Sequence, residues 1–233
     1  MTALEGTRAR RRVYLLRHAE VSYLGPAGQP VDPRAVALTP RGREQAAAMA
    51  RALGDVPFDR AVCSGLPRTR ETARMVLAGR ELAIEDRPEF REIRAGRLRE
   101  IAPERREAEL VYGFEAAGRE GASFAGGESF AAFEARVTAA FESLLKEPGW
   151  IRMLLVAHDG VNRVLIGWTA RAGLQAMSAF EQDMCCLNML DFDIVDGAIS
   201  RRLVKLVNLT PYDLAKLALN LTSLEHVFQT YRE

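Results

Sequence analysis

Short apolar runs alternate with amphipathic stretches along most of the chain, and this alternation predicts strands and helices in turn. Residues 12–17 and 152–157 are apolar runs of strand length. Apolar residues at spacings of three and four then predict one face of a long helix: Phe130, Phe133, Val137, Phe141 and Leu144. The other predicted elements are a helix over 39–54, a strand over 60–63, a helix over 66–77, a strand over 82–84, a short helix near 103–112 and a helix from Val161.

Asp196-Gly197 separates two further apolar runs, Cys186–Ile194 and Ile199–Val207. An Asp-Gly pair between such runs is a strong hairpin signal. Strands that alternate with helices favour a mostly parallel sheet covered on both faces. We therefore expect an α/β fold, a three-layer αβα sandwich whose mostly parallel central sheet carries an antiparallel hairpin at its edge.

No repeat or linker divides the chain, so residues 12–233 are predicted to form a single domain. Residues 1–11, which are rich in arginine, are expected to be a flexible tail, either solvated or an arm for phosphate or nucleic acid. The polar, glycine-containing stretch 87–127 is expected to be an insertion that covers the substrate.

The C-terminal stretch, about 211–231, is predicted to be a helix with one apolar seam. The seam consists of Leu214, Leu217, Leu221, Leu224, Phe228 and Tyr231, at spacings of three and four. The seam either packs on the chain's own sheet or forms the interface of a homodimer. His226, near the far end of this helix, is expected to lie at the surface.

Composition narrows the class of protein. The net charge of +1 argues against binding to nucleic acid or to an anionic membrane surface, and 48% hydrophobic residues favour a packed core. The three cysteines are an odd number with no C-x-x-C spacing, which favours a reducing compartment without a disulfide framework or structural zinc. No apolar run reaches membrane-spanning length, and no apolar signal core with a small-residue cleavage site follows the N-terminal arginines, so a cytoplasmic protein is expected.

Two of the three histidines follow predicted strands directly: Arg17-His18 after the first and His158-Asp159 after residues 152–157. Side chains just past the carboxyl ends of strands line the ligand crevice of an open α/β sheet. Arg68 lies at the start of the helix that follows the second strand, where it could grip a phosphate. Each motif alone is more typical of a surface or core pair than of a site.

Taken together and in order, the motifs resemble the histidine phosphatase superfamily, which includes cofactor-dependent phosphoglycerate mutase. The likeness covers roughly residues 12–207. The stretches that carry it are Arg17-His18, Leu38-Thr39-Pro40-Arg41-Gly42-Arg43-Glu44-Gln45-Ala46, Ser64-Gly65-Leu66-Pro67-Arg68 with Glu71-Thr72-Ala73, Glu92 with Gly96, Gly126-Gly127-Glu128-Ser129 and His158.

The resemblance implies a phosphomonoesterase of the histidine acid phosphatase type, with a small phosphorylated substrate. His18 would attack phosphorus and become a phosphohistidine, while Arg17, Arg68 and His158 clamp the phosphoryl oxygens. Glu92 would act as general acid and then as general base. No metal and no other cofactor is expected.

The chain departs from the family pattern at two positions. Leu24 stands where many members have a phosphate-contacting asparagine, and Ser22, the 25–33 loop or Asn162 are candidates to replace it. Asp159 stands where many relatives have a smaller residue. Its carboxylate would repel a dianion, bind a cationic part of the substrate or face outward into solvent.

Three functions stay open at this point. Mutases of the family carry a long basic insertion between the acid and the second histidine. Here only 66 positions separate Glu92 from His158, and three arginines lie in 100–127: Arg105, Arg106 and Arg119. This favours a phosphatase over a mutase. The third alternative is a non-catalytic phosphate-binding protein, in which one of the catalytic residues is usually lost.

Overall fold

The computed structural model describes residues 7, 9–25, 27–29, 31–97 and 100–230. Its strands are β1 (Arg10–Arg17), β2 (Arg60–Cys63), β3 (Ile84–Asp86), β4 (Arg152–Ala157), β5 (Leu187–Val195) and β6 (Ala198–Leu209). Its α-helices are α1 (Pro40–Ala52), α2 (Pro67–Val76), α3 (Arg106–Leu110), α4 (Phe130–Lys146), α5 (Asp159–Ala170) and α6 (Ser223–Thr230).

The six strands form one sheet in the order β3-β2-β4-β1-β5-β6. The first four pair in parallel, whereas β5 runs antiparallel to both β1 and β6. The predicted α/β fold with a mostly parallel sheet and an antiparallel edge hairpin is confirmed. Asp196 and Gly197 both have a positive φ at the hairpin turn, as the Asp-Gly signal requires.

Successive side chains of the central strands point to opposite faces of the sheet, and each face carries its own apolar core. On β4, Met153 and Leu155 belong to the core that includes α4 and α5, whereas Leu154 and Val156 belong to the core that includes α1 and α2. Both faces of the sheet are therefore covered by helices, which is the three-layer arrangement expected from the sequence.

The predicted flexible tail over 1–11 is wrong at its boundary, because β1 begins at Arg10. Arg10 lies opposite Asp193 and Arg12 opposite Asp191 in the β1–β5 register, and each arginine forms an ion pair with its cross-strand partner. Opposite charges on facing positions stabilise the pairing of the two strands. Residues 1–6 and 8 of the predicted tail lie outside the described residues.

The predicted C-terminal helix over 211–231 is also wrong, because α6 begins only at Ser223 and residues 211–219 are mostly turns. Lys216 has a positive φ of 58°, which a helix excludes, and the Asp213 carboxylate accepts bonds from the backbone N–H groups of Leu217 and Ala218. Leu214 and Leu217 are 71% and 81% exposed, so no continuous helical seam forms. Tyr231 lies outside the described residues, and the homodimer stays a prediction.

The boundaries of two other elements differ slightly from the predicted ones. The third strand covers 84–86 rather than 82–84, and α5 begins at Asp159 rather than at Val161. The stretch 87–127 contains α3 and several short 3-10 turns, consistent with its irregular sequence. In the part of the chain that the structure describes, no helix is long and apolar enough to cross a membrane.

Candidate active site

The register of the sheet brings the two strand-end histidines together. β1 and β4 are parallel neighbours in which Arg17 pairs with Ala157, so His18 and His158 are the next residues on adjacent strands. The His18 backbone N–H bonds to the Ala157 carbonyl, and the two imidazole centroids are 5.2 Å apart. Both rings therefore face one point at the carboxyl edge of the sheet.

A single hydrogen bond fixes the tautomer of His18. Its Nδ1 lies 2.8 Å from the carbonyl oxygen of Ala19. A carbonyl oxygen only accepts, so Nδ1 carries the proton and Nε2 keeps its lone pair. Burial, Arg68 and Arg17 together hold the pKa of His18 well below its ordinary value. The imidazole is therefore neutral near pH 7, as a nucleophile requires.

His158 is oriented through two residues of the β2–α2 connection. Its Nδ1 lies 3.4 Å from Nη2 of Arg68, which only donates, so its Nε2 carries the proton and donates to Ser64 Oγ at 2.8 Å. Burial, Arg68, His18 and Arg17 lower the pKa of His158 well below its ordinary value. The second imidazole is thus also neutral in the absence of an anion.

Arg17 is held at one end and has no partner at the other. Its Nη1 donates to the Gln182 carbonyl and to the Ser223 hydroxyl, and it lies 3.7 Å from Oδ2 of Asp159. Its Nε is buried and has no hydrogen-bond partner. A buried donor without a partner costs free energy, about 1–3 kcal/mol.

Arg68 repeats the same arrangement on the other side of the site. Its Nη1 donates to the Pro33 carbonyl at 2.6 Å, and its Nε is likewise buried without a partner. Two buried guanidinium groups therefore each carry an unpartnered N–H beside His18. An anion with several acceptor oxygens would satisfy both donors.

Glu92 is fixed at the amino end of α5. Its Oε2 accepts a bond from the Gly160 N–H at 3.0 Å, and its Oε1 accepts one from its neighbour Ile93. A Cβ at position 160 would come within 2.6 Å of Glu92 Oε1, so glycine is needed there for this approach. Burial and the charge of Asp159 raise the pKa of Glu92, which favours a carboxyl group that can donate a proton.

Asp159 does not face outward. It is buried, its Oδ1 forms an ion pair with Arg163, and Arg163 in turn pairs with Glu181. Oδ2 of Asp159 is buried without a hydrogen-bond partner and lies 3.7 Å from Nη1 of Arg17. The carboxylate is therefore an internal counter-ion of the arginines, and the solvated alternative is wrong.

The structure places Asn162 and Ser22, two of the three candidate replacements for the missing asparagine, differently. Asn162 is fully buried, and its amide lies 3.1 Å from both the His158 carbonyl and the Arg17 backbone N–H, so it braces the two strand ends. Ser22 is exposed, and its hydroxyl exchanges hydrogen bonds with the backbone of Leu24. The described contacts therefore connect Asn162 to the site through backbone groups and keep Ser22 within its own loop.

Three contributors to the site could not be predicted from the sequence. Ser64 lies in the Ser64–Arg68 stretch that carries the family resemblance, but nothing in that stretch indicates its bond to His158. Gln182 contacts Arg17 through its backbone carbonyl, for which the sequence contains no signal. The predicted helix over 211–231 includes Ser223 in its interior. Thr222-Ser223-Leu224-Glu225, however, has the pattern of a capping box, which indicates the start of a helix.

This arrangement has the parts that phosphoryl transfer to an imidazole needs. A neutral histidine presents a lone pair between two arginines, and a carboxyl group with a raised pKa stands nearby. Cationic donors around a phosphoryl group stabilise the charge of its transition state. A carboxyl group can protonate the leaving oxygen.

Comparisons with known proteins agree with this reading. Residues 13–204 match the model of the histidine phosphatase superfamily, branch 1. The chain is 32% identical over 190 residues to the adenosylcobalamin/alpha-ribazole phosphatase of Escherichia coli K12, covering 78% of this chain and 90% of that one. It is 28% identical over 191 residues to a protein of Yersinia pestis named "Probable phosphoglycerate mutase", covering 78% and 85%. The crystal structure of the alpha-ribazole phosphatase from Shigella flexneri superposes with a TM-score of 0.66 at 30% identity, covering 84% of this chain and 96% of that one.

Proposed function

The chain belongs to branch 1 of the histidine phosphatase superfamily, and we propose that it is a phosphatase that hydrolyses phosphomonoesters through a phosphohistidine on His18. The observation that carries the proposal is the pair of buried, unpartnered Nε–H groups on Arg17 and Arg68 beside the neutral His18. Their arrangement suits a phosphoryl dianion, which offers several acceptor oxygens and neutralises two buried positive charges.

In the first step, Nε2 of His18 attacks phosphorus in line with the leaving oxygen. The P–O bond to the leaving group breaks as the N–P bond forms, and Glu92 gives its proton to the departing alkoxide. The bond from Nδ1 of His18 to the Ala19 carbonyl stabilises the positive charge that develops on the ring. Arg17 and Arg68 hold the equatorial oxygens, and His158 joins them when the bound dianion favours protonation of its Nδ1.

In the second step, water replaces the leaving group. The Glu92 carboxylate, now deprotonated, removes a proton from the water, whose oxygen attacks phosphorus as the N–P bond breaks. Inorganic phosphate leaves and His18 regains its lone pair. Two steps with accessible barriers thereby replace one difficult displacement by water. The arginines supply the positive charge, so this sequence of steps involves no metal ion.

The relatives at 30% identity or more point to alpha-ribazole 5′-phosphate as the first substrate to test, since two of them are named alpha-ribazole phosphatases and the name of another includes alpha-ribazole-5′-P. The mutase alternative is supported by the resemblance to the probable phosphoglycerate mutase. Against it, two of the three arginines of 100–127 are engaged within that stretch, Arg105 with Glu109 and Arg106 with the Ile101 carbonyl.

The test is phosphate release from an aryl phosphate and from alpha-ribazole 5′-phosphate in the presence of EDTA. We expect hydrolysis of both, with no need for a bisphosphorylated glycerate. Phosphoryl transfer to a phosphoglycerate that depends on added bisphosphorylated glycerate, with little hydrolysis, would support the mutase instead. Phosphate binding without turnover on any monoester would support the non-catalytic alternative.

The pH dependence of kcat/KM should show two limbs with distinct origins. Activity falls with decreasing pH as His18 becomes protonated, and because its pKa is lowered, this limb lies below pH 6.5. Activity on alkyl phosphates falls with increasing pH as Glu92 loses its proton, and because its pKa is raised, this limb lies above pH 4.5.

The control for this assignment is an activated aryl ester, whose leaving group needs no protonation. Its alkaline limb should be much weaker than that of an alkyl ester measured in the same buffers. Equal alkaline limbs for the two esters would contradict the assignment of Glu92 as the acid.

A further inference from the structure

The chain continues past the region that matches the family, which ends at residue 204. This C-terminal segment, residues 210–230, returns to the active site through Ser223, the first residue of α6. Ser223 is 8% exposed and stands against the guanidinium of Arg17. A residue outside the family match therefore contacts a group that is proposed to bind the phosphoryl oxygens.

Ser223 forms three hydrogen bonds through two of its atoms, the hydroxyl oxygen and the backbone nitrogen. Its Oγ accepts a hydrogen bond from Nη1 of Arg17 and donates one to the Gln182 carbonyl at 2.9 Å. Its backbone N–H donates to Oε1 of Glu181 at 3.0 Å. The hydroxyl thus lies between Arg17 and the carbonyl that Arg17 also contacts, and closes a small ring of hydrogen bonds.

The position of Ser223 is fixed from both sides. Thr222 and Glu225 form a reciprocal capping box, in which the Thr222 N–H donates to the Glu225 carboxylate and the Glu225 N–H donates to Thr222 Oγ1. Upstream, Lys216 pairs with Asp183, and the Tyr212 hydroxyl donates to the Met184 carbonyl. The C-terminal segment is therefore tied to residues 183–184, directly beside Gln182.

A guanidinium is a rigid plane, so its orientation is fixed when one end is held. Nη1 of Arg17 carries two hydrogens, and these go to Gln182 O and Ser223 Oγ. The opposite edge carries the unpartnered Nε–H. The acceptors on Nη1 therefore determine where the free Nε–H points.

We propose that Ser223 is a positioning residue of the active site, which holds Nη1 of Arg17 so that Nε faces the phosphoryl group. The inference rests on the proposed function, and it adds the C-terminal segment to the active site. Without the hydroxyl, Arg17 keeps its charge but samples more orientations, so each bound phosphate must also order the side chain.

The test measures the binding of inorganic phosphate by calorimetry, together with KM and kcat for an aryl phosphate. Ser223→Ala should weaken phosphate binding and raise KM about tenfold, the size expected for one hydrogen bond to a charged group. Ser223→Thr keeps a hydroxyl at the same position and should stay within about twofold of the wild type. Thr222→Ala is the matched control, because it removes the neighbouring capping hydroxyl without touching Arg17.

The outcomes separate this inference from the proposed function. Wild type that hydrolyses the ester and a Ser223→Ala variant with unchanged phosphate affinity would overturn the positioning role alone. An equal loss of phosphate affinity in Thr222→Ala would also overturn the positioning role, because the effect would then come from the stability of α6. Weak phosphate binding by Ser223→Thr would overturn it as well. Wild type that neither binds phosphate nor hydrolyses any ester would overturn both.

Discussion

Replacing His18 by alanine should reduce phosphatase activity by at least about 10⁴-fold, because the variant retains the arginines but has no nucleophile to accept the phosphoryl group. Arg17 and Arg68 are held by hydrogen bonds to Gln182, Ser223 and Pro33, so the substitution leaves the cationic site in place. Phosphate affinity should therefore change much less than kcat. Steady-state hydrolysis and phosphate calorimetry on the same preparations measure both quantities.

The matched control is His226→Ala, which removes the histidine on the exposed face of α6. We expect its activity to stay close to that of the wild type, with circular dichroism confirming that both variants fold. An equal loss in the two variants would show that the assay reports a general effect on the fold. Substantial hydrolysis by folded His18→Ala protein would exclude His18 as the nucleophile.

Replacing Glu92 by glutamine should have the second-largest effect, and its size should depend on the leaving group. On an alkyl phosphate we expect a loss of about 10²–10⁴-fold, because the alkoxide leaves without a proton donor. On a nitrophenyl ester the first step should survive, since that leaving group is a weak base. The second step still lacks its base, so the phosphoenzyme should accumulate.

A stopped-flow burst of nitrophenol, stoichiometric with enzyme and followed by slow turnover, is the expected signature of Glu92→Gln. Glu89→Gln serves as the control, because that exposed carboxylate lies three residues earlier in the same segment. Equal losses of Glu92→Gln activity on alkyl and aryl esters, with no burst, would contradict the acid–base role.

The elements that depend on local periodicity could be predicted from the sequence. β1, β4 and the β5–β6 hairpin follow from apolar runs and an Asp-Gly turn, and the parallel order then places His18 and His158 side by side. The bond from Nδ1 of His18 to the carbonyl of Ala19, its neighbour in the chain, is likewise a local contact.

The remaining parts depend on contacts between distant segments, which no local pattern contains. The seam of leucines in 211–231 has helical spacing, but Asp213 and Lys216 make tertiary and turn contacts that replace the helix. The sequence allows three roles for Asp159, because its ion pair with Arg163, four residues away, becomes decisive only when both side chains are buried. The Arg17–Ser223 bond joins residues 206 positions apart.

The most direct measurement of the central claim is to trap the phosphoenzyme. Wild type and Glu92→Gln protein are mixed with a ³²P-labelled aryl phosphate, quenched in alkali and digested, and the labelled peptide is sequenced. The account predicts one label per chain at His18, stable in alkali and lost in acid, as expected of a phosphohistidine, and absent from His18→Ala. A label on any other residue, or hydrolysis by Glu92→Gln protein without any trapped label, would contradict it.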